Sequence, residues 1–116
     1  MARQDKLLAQ LQDLLDAGEK VQRSVFGAYE TQIMGSKGMR NGVMAATDKR
    51  LVFYGKKLGG YDFEVFPYSQ ITSIKTAKGM LMGTAIMFTA AGNSVTLKWI
   101  KNGDARALVE YVSAQR

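Results

Sequence analysis

The sequence predicts a mainly β domain, a seven-stranded antiparallel barrel or sandwich with a C-terminal capping helix and an extra N-terminal amphipathic helix. From residue 25 to residue 99, apolar residues recur with a period of two, and short turn signals such as Gly92-Asn93 separate the runs. At both ends of the chain the apolar period changes to that of a helix. A chain of 116 residues can close one hydrophobic core, so we expect one β domain with helical ends.

The predicted strands cover most of the chain. We expect strands over 26–33, 40–46, 51–55, 61–66, 71–78, 84–90 and 94–99. Loops are expected at 35–38 and 56–60, where glycine and polar or basic residues cluster, and at 79–83, an apolar loop that begins and ends with glycine. The residues predicted to be largely buried in the core are Leu51, Phe53, Ile71, Ile74, Ile86, Phe88, Val95, Leu97, Leu108 and Val112.

The strongest local pattern is a hairpin, in which Val43–Ala46 and Leu51–Tyr54 flank a polar tetrapeptide. The turn lacks the Asn-Gly or Gly-Gly pair of two-residue turns, which favours a longer loop. We expect the side chains of Thr47 and Asp48 to accept hydrogen bonds from backbone N–H groups of this loop, because short polar side chains close turns in that way. Arg50 lies where its guanidinium could bond the same loop.

Residues 1–20 predict an amphipathic helix. Leucines at 7, 8, 11, 14 and 15 form one stripe over the helical stretch from Arg3 to Ala17, and Gly18 stands where a helix favours a left-handed residue. One interpretation is that the stripe packs on the outside of the barrel. The alternative is that Leu7, Leu11 and Leu14 form an oligomer interface, since their spacing of four and three is that of a short coiled-coil seam.

The loop Met80-Leu81-Met82, between two glycines, is a second candidate for an oligomer interface. Methionine adapts to irregular apolar contacts, so this loop could fold inward as a plug or stay exposed as an apolar tip. At the C-terminus, Asn102-Gly103-Asp104 offers a helix N-cap. The apolar residues after it repeat with helical spacing, which predicts a helix that covers an open end of the barrel.

Two segments together resemble the bacterial pleckstrin-homology (PH-like) domains of the YokE-like group. They are the run from Gly42 to Tyr54, with its Thr-Asp-Lys-Arg turn, and the segment Glu64–Ile74, which contains Phe-x-Tyr-x-x-Ile-x-x-Ile. The resemblance implies that residues 25–116 form a bacterial PH-like domain. It also implies a non-catalytic interaction module that assembles as a homo-oligomer through sheet edges and faces and recruits a protein or peptide partner.

Charge predicts a second type of partner. The chain carries a net charge of +6, and the region from Lys37 to Lys101 holds ten basic and three acidic residues. We expect Lys37, Arg40, Lys56 and Lys57 to converge at one end of the barrel, because odd-numbered loops of an antiparallel meander emerge on the same side. Such a cluster attracts a phosphorylated small molecule or an anionic lipid head group, the latter placing the protein at the inner face of the membrane. The alternative is that these cations only keep the barrel soluble.

Several functional classes are excluded by composition. The chain has no cysteine and no histidine, which removes disulfides, thiol nucleophiles, imidazole bases and Cys/His zinc sites. It contains no glycine-rich phosphate-binding motif, no paired catalytic acids and no specific nucleic-acid motif. We therefore expect no enzyme activity, cofactor or metal. No apolar run is long enough to span a membrane and no signal peptide is evident, so we expect a cytoplasmic protein.

Overall fold

The computed structural model describes residues 3–33, 36–57, 59–78, 83–103 and 105–115. This part of the chain contains two helices and seven strands. In chain order they are α1 (Arg3–Gln12), β1 (Val21–Ile33), β2 (Ser36–Thr47), β3 (Arg50–Lys57), β4 (Gly60–Pro67), β5 (Ile71–Lys78), β6 (Thr84–Ala90), β7 (Asn93–Gly103) and α2 (Ala105–Gln115). A single 3-10 turn, Tyr68–Gln70, joins β4 to β5. Neither of these helices combines the length and the apolar character needed to cross a membrane.

The strands form one antiparallel sheet in the order β4-β3-β2-β1-β7-β6-β5. β1 lies at its centre and pairs with β2 on one side and β7 on the other. A shift of register between Phe26 and Ala28 lets β1 serve both halves of the sheet, which fold over a common core. The predicted fold class is confirmed.

The barrel core contains nine of the ten residues predicted for it, and only Ile74 is partly exposed. Aromatic rings fill its centre: Tyr29 stacks on Phe53 with ring centroids 4.3 Å apart, and Phe66 meets Phe88 edge to face at 5.0 Å. α2 lies over one end, where Leu108 and Val112 are fully buried. The predicted capping role of this helix therefore follows from its own apolar stripe.

A second, smaller core lies outside the barrel, between α1 and the outer face of β2 and β3. Leu7 and Leu11 are buried there against Val43, Val52 and Tyr54. These two leucines are covered within their own chain, so the alternative that they form an oligomer interface is corrected. Leu14 is partly buried and packs against the same cluster.

Several element boundaries differ from the predicted ones. α1 ends at Gln12 rather than at Ala17, because the following residues turn back toward β1, and Gly18 has the expected left-handed φ of 81°. β1 and β2 form a much longer hairpin, paired up to Ile33 and Ser36. Ser36–Gly38 has the composition of a turn, but backbone pairing between two strands does not require apolar side chains, so periodicity did not reveal it.

A row of glycines crosses the sheet through β1, β2 and β3. Gly27 faces Gly42, and Gly42 faces Gly55 on the next strand. A Cβ atom at Gly42 would lie 2.3 Å from the carbonyl oxygen of Tyr54 and 2.6 Å from the ring of Phe53. At Gly27 it would lie 2.8 Å from the carbonyl oxygen of Lys98. The strands approach one another here more closely than any residue with a side chain permits.

We expect Gly42→Ala to lower the free energy of unfolding by about 3 kcal/mol, because the added methyl group meets backbone atoms that cannot move aside. Gly60→Ala is the matched control, since a Cβ atom at Gly60 has nothing within 4 Å. It should leave stability unchanged or raise it by up to about 1 kcal/mol. Urea unfolding of both variants measures the difference, and equal losses would contradict the proposed role of the glycine row.

Candidate functional site

A cleft of about 180 Å³ opens between β4 and the turn that joins β6 to β7. We call it the β4 cleft. Its lining residues are Tyr29, Glu64, Val65, Phe66, Gln70, Ala90, Ala91, Asn93 and Val95. The lining combines aromatic and aliphatic surface with one carboxylate and two amide side chains, a composition typical of a binding cleft.

The β4 cleft runs along the edge of β4. Glu64, Val65 and Phe66 are consecutive residues, and all three line it. Successive side chains of a strand point to opposite faces of the sheet, so one face alone could not present all three. Glu64 and Phe66 lie on the interior face and Val65 on the outer face, so the cleft includes the open side of the strand between them.

The opposite wall is held in place by the β6–β7 turn. Ala91 and Gly92 have positive φ values of 51° and 84°, as a tight two-residue hairpin turn requires. The N–H of Ala91 donates a hydrogen bond of 3.1 Å to the carbonyl oxygen of Gln70 in the 3-10 turn. Both walls are thus fixed by the fold, so the cleft exists before any partner binds.

Glu64 brings negative charge into the cleft from the interior face of the sheet. Its cross-strand neighbour on β3 is Phe53, a core residue. The carboxylate is partly buried, and burial raises the pKa of Glu64, with a further contribution from the charge of Asp62. Within the described residues the Glu64 carboxylate makes neither a hydrogen bond nor an ion pair.

The free edge of β4 presents a regular set of backbone groups. Lys57 and Gly60 face each other with two residues between them, and the register continues without a shift to Arg50 and Pro67. The closing pair of such a hairpin is hydrogen-bonded, and bonded pairs then alternate along the strands. The N–H and C=O groups of Tyr61, Phe63 and Val65 consequently point away from β3.

The two edge strands of the sheet differ in character. On β5 the exposed side chains include Lys75 and Lys78, and such charges protect an edge from pairing with other strands. On β4 the exposed side chains include Tyr61, which is 49% accessible, and Val65, which is 38% accessible. Among the strands that the structure describes, β4 is therefore the edge better suited to pairing.

The structure describes the side chains of two of the four residues predicted to bind anions, Arg40 and Lys56, and the backbone positions of the other two, Lys37 and Lys57. β2 and β3 pair only as far as Gly42 and Gly55. Lys37 lies five residues beyond Gly42 and Lys57 two beyond Gly55, so their backbones differ by about 10 Å in position along the strands. Both belong to strands rather than loops, and the side chains of Lys37 and Lys57 lie outside what is described.

Arg40 and Lys56 lie on opposite faces of the sheet. Arg40 Nε donates a hydrogen bond of 2.7 Å to Asp62 Oδ2 on the interior face. Lys56 faces Tyr61, whose ring packs on Tyr54 on the outer face, with centroids 5.3 Å apart. Arg40 lies two positions from Gly42, and Lys56 lies one position from Gly55, the glycine that Gly42 faces. Because side chains alternate along a strand, the two cations point to opposite faces, and the predicted convergence is corrected for this pair.

The turn residues Thr47, Asp48 and Arg50 each have a defined partner. Thr47 Oγ1 accepts hydrogen bonds of 3.0 Å from the N–H groups of Lys49 and Arg50. Asp48 does not bond its own loop: its Oδ1 accepts a hydrogen bond from the N–H of Lys20, 3.0 Å away. The segment before β1 runs beside the turn and supplies that donor, a contact that only the tertiary structure creates.

Arg50 also turns away from the loop and binds Glu19. Nε and Nη2 of Arg50 each donate a hydrogen bond of 3.0 Å to the two carboxylate oxygens, and the hydroxyl of Thr47 donates a third, of 2.6 Å. Burial raises the pKa of Glu19, but these hydrogen bonds and one from the N–H of Asp16 outweigh it and lower the pKa to about 2. Glu19 therefore stays ionised and joins the segment before β1 to the β2–β3 turn.

Sequence reasoning missed Glu64 and Glu19. Alternation along β4 puts Asp62 and Glu64 on the same side as Phe66, but the pattern gives no sign that this side faces the barrel interior. Met80, Leu81 and Met82 lie outside the described residues. Within the described residues no three acidic side chains are grouped in a way that could hold a metal ion.

Comparisons with known proteins identify the fold. Residues 15–114 match the family model described as Bacterial PH domain. No curated protein matches the chain. The YokE-like subgroup stays a prediction, since the family match is to bacterial PH domains in general.

Three solved structures share the fold. The PH domain of USP37 is similar with a TM-score of 0.60 and 12% identity, covering 80% of this chain and 95% of that one. The C-terminal domain of an unknown protein from Leishmania infantum gives 0.57 and 21%, covering 96% and 92%. A PH domain from Shewanella amazonensis SB2B gives 0.56 and 20%, covering 96% of each chain.

The low pKa of Glu19 predicts how stability depends on pH. A carboxyl group whose pKa is lower in the folded state stabilises that state above its unfolded pKa, and this stabilisation is lost as the pH falls from about 4.5 to about 2. We expect roughly 3 kcal/mol to be lost in this window. Denaturant unfolding at a series of pH values should show a smaller loss for Glu19→Gln, and an equal loss in both proteins would contradict the role of Glu19.

Proposed function

We propose that this chain, which belongs to the bacterial PH domain family, is a non-catalytic interaction module that binds an extended segment of a partner protein along the free edge of β4. The PH-like fold is commonly an interaction module. The observation that carries the proposal is that the β4 cleft exposes the edge of the strand, through three consecutive lining residues. Strand addition at such an edge is a recurring mode of peptide recognition.

In this mode the partner segment becomes an eighth strand. It would exchange hydrogen bonds with the outward backbone groups of Tyr61, Phe63 and Val65, which give affinity without regard to sequence. Pro67 has no N–H group, so the paired stretch ends before it. A segment of about five to seven residues matches the available length of β4.

Binding at this edge needs little rearrangement. β4 is held on its other side by β3 along its whole length, and the far wall of the cleft is tied down by the hydrogen bond from Ala91 to Gln70. The main entropic cost of binding is therefore the ordering of the partner's own backbone, which favours a peptide that is already extended. It would also cover Tyr61 and Val65, the exposed apolar side chains beside the edge.

Self-assembly into a homo-oligomer is a second candidate, because a free edge with exposed apolar neighbours also fits another copy of β4. Antiparallel pairing of two copies centred on Phe63 would place Asp62 of one copy opposite Glu64 of the other. Like charges directly opposite each other destabilise a strand pair. We therefore put self-assembly second to the binding of a different polypeptide.

Binding of an anionic phosphorylated ligand, such as a nucleotide or a lipid head group, ranks third. It would need the rim cations to act together, whereas Arg40 is paired with Asp62 and lies on the face opposite to Lys56. A peripheral location at the inner face of the membrane belongs to this candidate alone. Lys56, which is exposed, is the described rim cation that supports it.

Val65→Pro tests the main proposal. Proline removes the outward N–H of residue 65 but leaves the inward hydrogen bonds to β3 in place, so the fold should persist while strand addition fails. We expect peptides selected from a random twelve-residue display library against the parent protein to lose binding to Val65→Pro, measured by fluorescence anisotropy. Circular dichroism and the melting temperature report whether the variant is folded.

Val65→Thr is the matched control, because it keeps the N–H group and a β-branched side chain. It should retain peptide binding. Hydrogen exchange gives an independent check: the amides of Tyr61, Phe63 and Val65 should become protected when peptide binds. Selected peptides that bind Val65→Pro as well as the parent protein, or a library that yields no binder, would overturn the proposal.

Self-assembly predicts a mass above that of the 12.8 kDa protomer. Static light scattering at micromolar concentration should then report a dimer or a larger assembly, and Val65→Pro should return it to the protomer mass, because the variant cannot pair through β4. A monomeric parent protein would eliminate self-assembly and leave peptide binding untouched. An oligomer that survives in Val65→Pro would place the interface elsewhere.

A further inference from the structure

We propose that the β4 cleft receives a lysine or arginine side chain of the bound segment, with Glu64 as the carboxylate that pairs with it. This inference rests on the proposed function, since it assigns the chemistry of the segment that pairs with β4. Among the buried or partly buried acidic side chains that the structure describes, Glu64 differs from the others in lacking an ion pair.

The structure describes four acidic side chains that are buried or partly buried: Glu19, Glu30, Asp62 and Glu64. Three of them have a cation beside them. Arg50 lies 3.0 Å from Glu19, Lys98 lies 3.1 Å from Glu30, and Arg40 lies 2.7 Å from Asp62. Glu64 has no such partner within the described residues, although the chain carries a net charge of +6.

A carboxylate removed from water without a partner is unfavourable. The raised pKa of Glu64 reflects this cost and agrees with its partial burial in the cleft. A bound molecule can supply the cation that would pair with Glu64, because Glu64 lines a cleft that opens to solvent along a free strand edge. A positive group of the partner would there gain a charge-assisted hydrogen bond in a partly dehydrated site.

The geometry of strand addition brings a side chain to that carboxylate. Glu64 points to the interior face of the sheet, as its pairing with Phe53 shows. The residue of an added strand directly opposite Glu64 would point to the same face, with Cβ atoms about 4.5 to 5.5 Å apart. The cation of a long side chain at that position can reach the carboxylate.

The rest of the cleft fits a long side chain with a charged end. Tyr29 and Phe66, whose ring centroids are 6.5 Å apart, offer apolar surface for the aliphatic stem of lysine or arginine. The amide side chains of Gln70 and Asn93 also line the cleft and can accept further N–H groups. A single carboxylate without other acidic ligands suits an organic cation better than a metal ion.

The experiment compares library selections against the parent protein and Glu64→Gln, which keeps the size of the side chain and removes its charge. Peptides selected with the parent protein should share a lysine or arginine at one position. Replacing that residue by norleucine, or Glu64 by glutamine, should weaken binding roughly tenfold, and the two changes together should cost little more than either alone. Selection against Glu64→Lys should enrich aspartate or glutamate at the same position.

Glu110→Gln, an exposed position on α2, is the matched control and should leave peptide affinity unchanged. Glu64→Gln should also be at least as stable as the parent protein at pH 7, since it removes an unpaired, partly buried charge. Peptides that lose binding to Val65→Pro but show no basic preference, with Glu64→Gln binding equally well, would overturn the inference and leave the proposed function standing. A library without binders would overturn both.

Discussion

The close approach of β1, β2 and β3 at the glycine row is the constraint on which the rest of the structure depends. Gly27, Gly42 and Gly55 face one another across three strands, and a methyl group at Gly42 would meet the carbonyl oxygen of Tyr54 at 2.3 Å. This close backbone approach lies in the half of the sheet formed by β1 to β4, and both halves of the sheet contribute to a single core with aromatic rings at its centre. β4 and the β6–β7 hairpin lie on opposite sides of the β4 cleft.

Closure of the core leaves the two edge strands in different situations. β5 is protected by lysines, while β4 ends the sheet with exposed Tyr61 and Val65 and with outward backbone groups. Backbone pairing with an added strand is therefore favoured at β4 over β5. The β4 cleft adds the Glu64 carboxylate to that edge. A strand that pairs there would therefore bond to the backbone of β4 without regard to its sequence and would also place one residue beside a negative charge. This combination favours peptide recognition over capture of an anion.

Charge illustrates what a site prediction from sequence leaves out, namely the face of the sheet on which each side chain lies. The β1–β2 turn, which precedes Lys37 and Arg40, and the β3–β4 turn, which follows Lys56 and Lys57, emerge at the same end. Side chains alternate between the two faces of a strand, however, and Arg40 pairs with Asp62. Net charge counts residues without regard to face or partner. The sequence alone does not show that α1 covers the outer face of the neighbouring strands β2 and β3, so it does not place Glu64 on the side of the barrel interior.

The sequence by itself determined the seven strands, the two amphipathic helices and most of the core, because period-two and helical patterns are local and can be recognised without any knowledge of contacts. The family followed from the resemblance of two segments, Gly42–Tyr54 and Glu64–Ile74. Only the tertiary structure decided that the leucine stripe packs on its own barrel, that Arg50 binds Glu19, and that β4 is the open edge beside the cleft. These features join residues far apart in the chain. Their geometry depends on strand order, face and bend, which arise when the whole sheet closes.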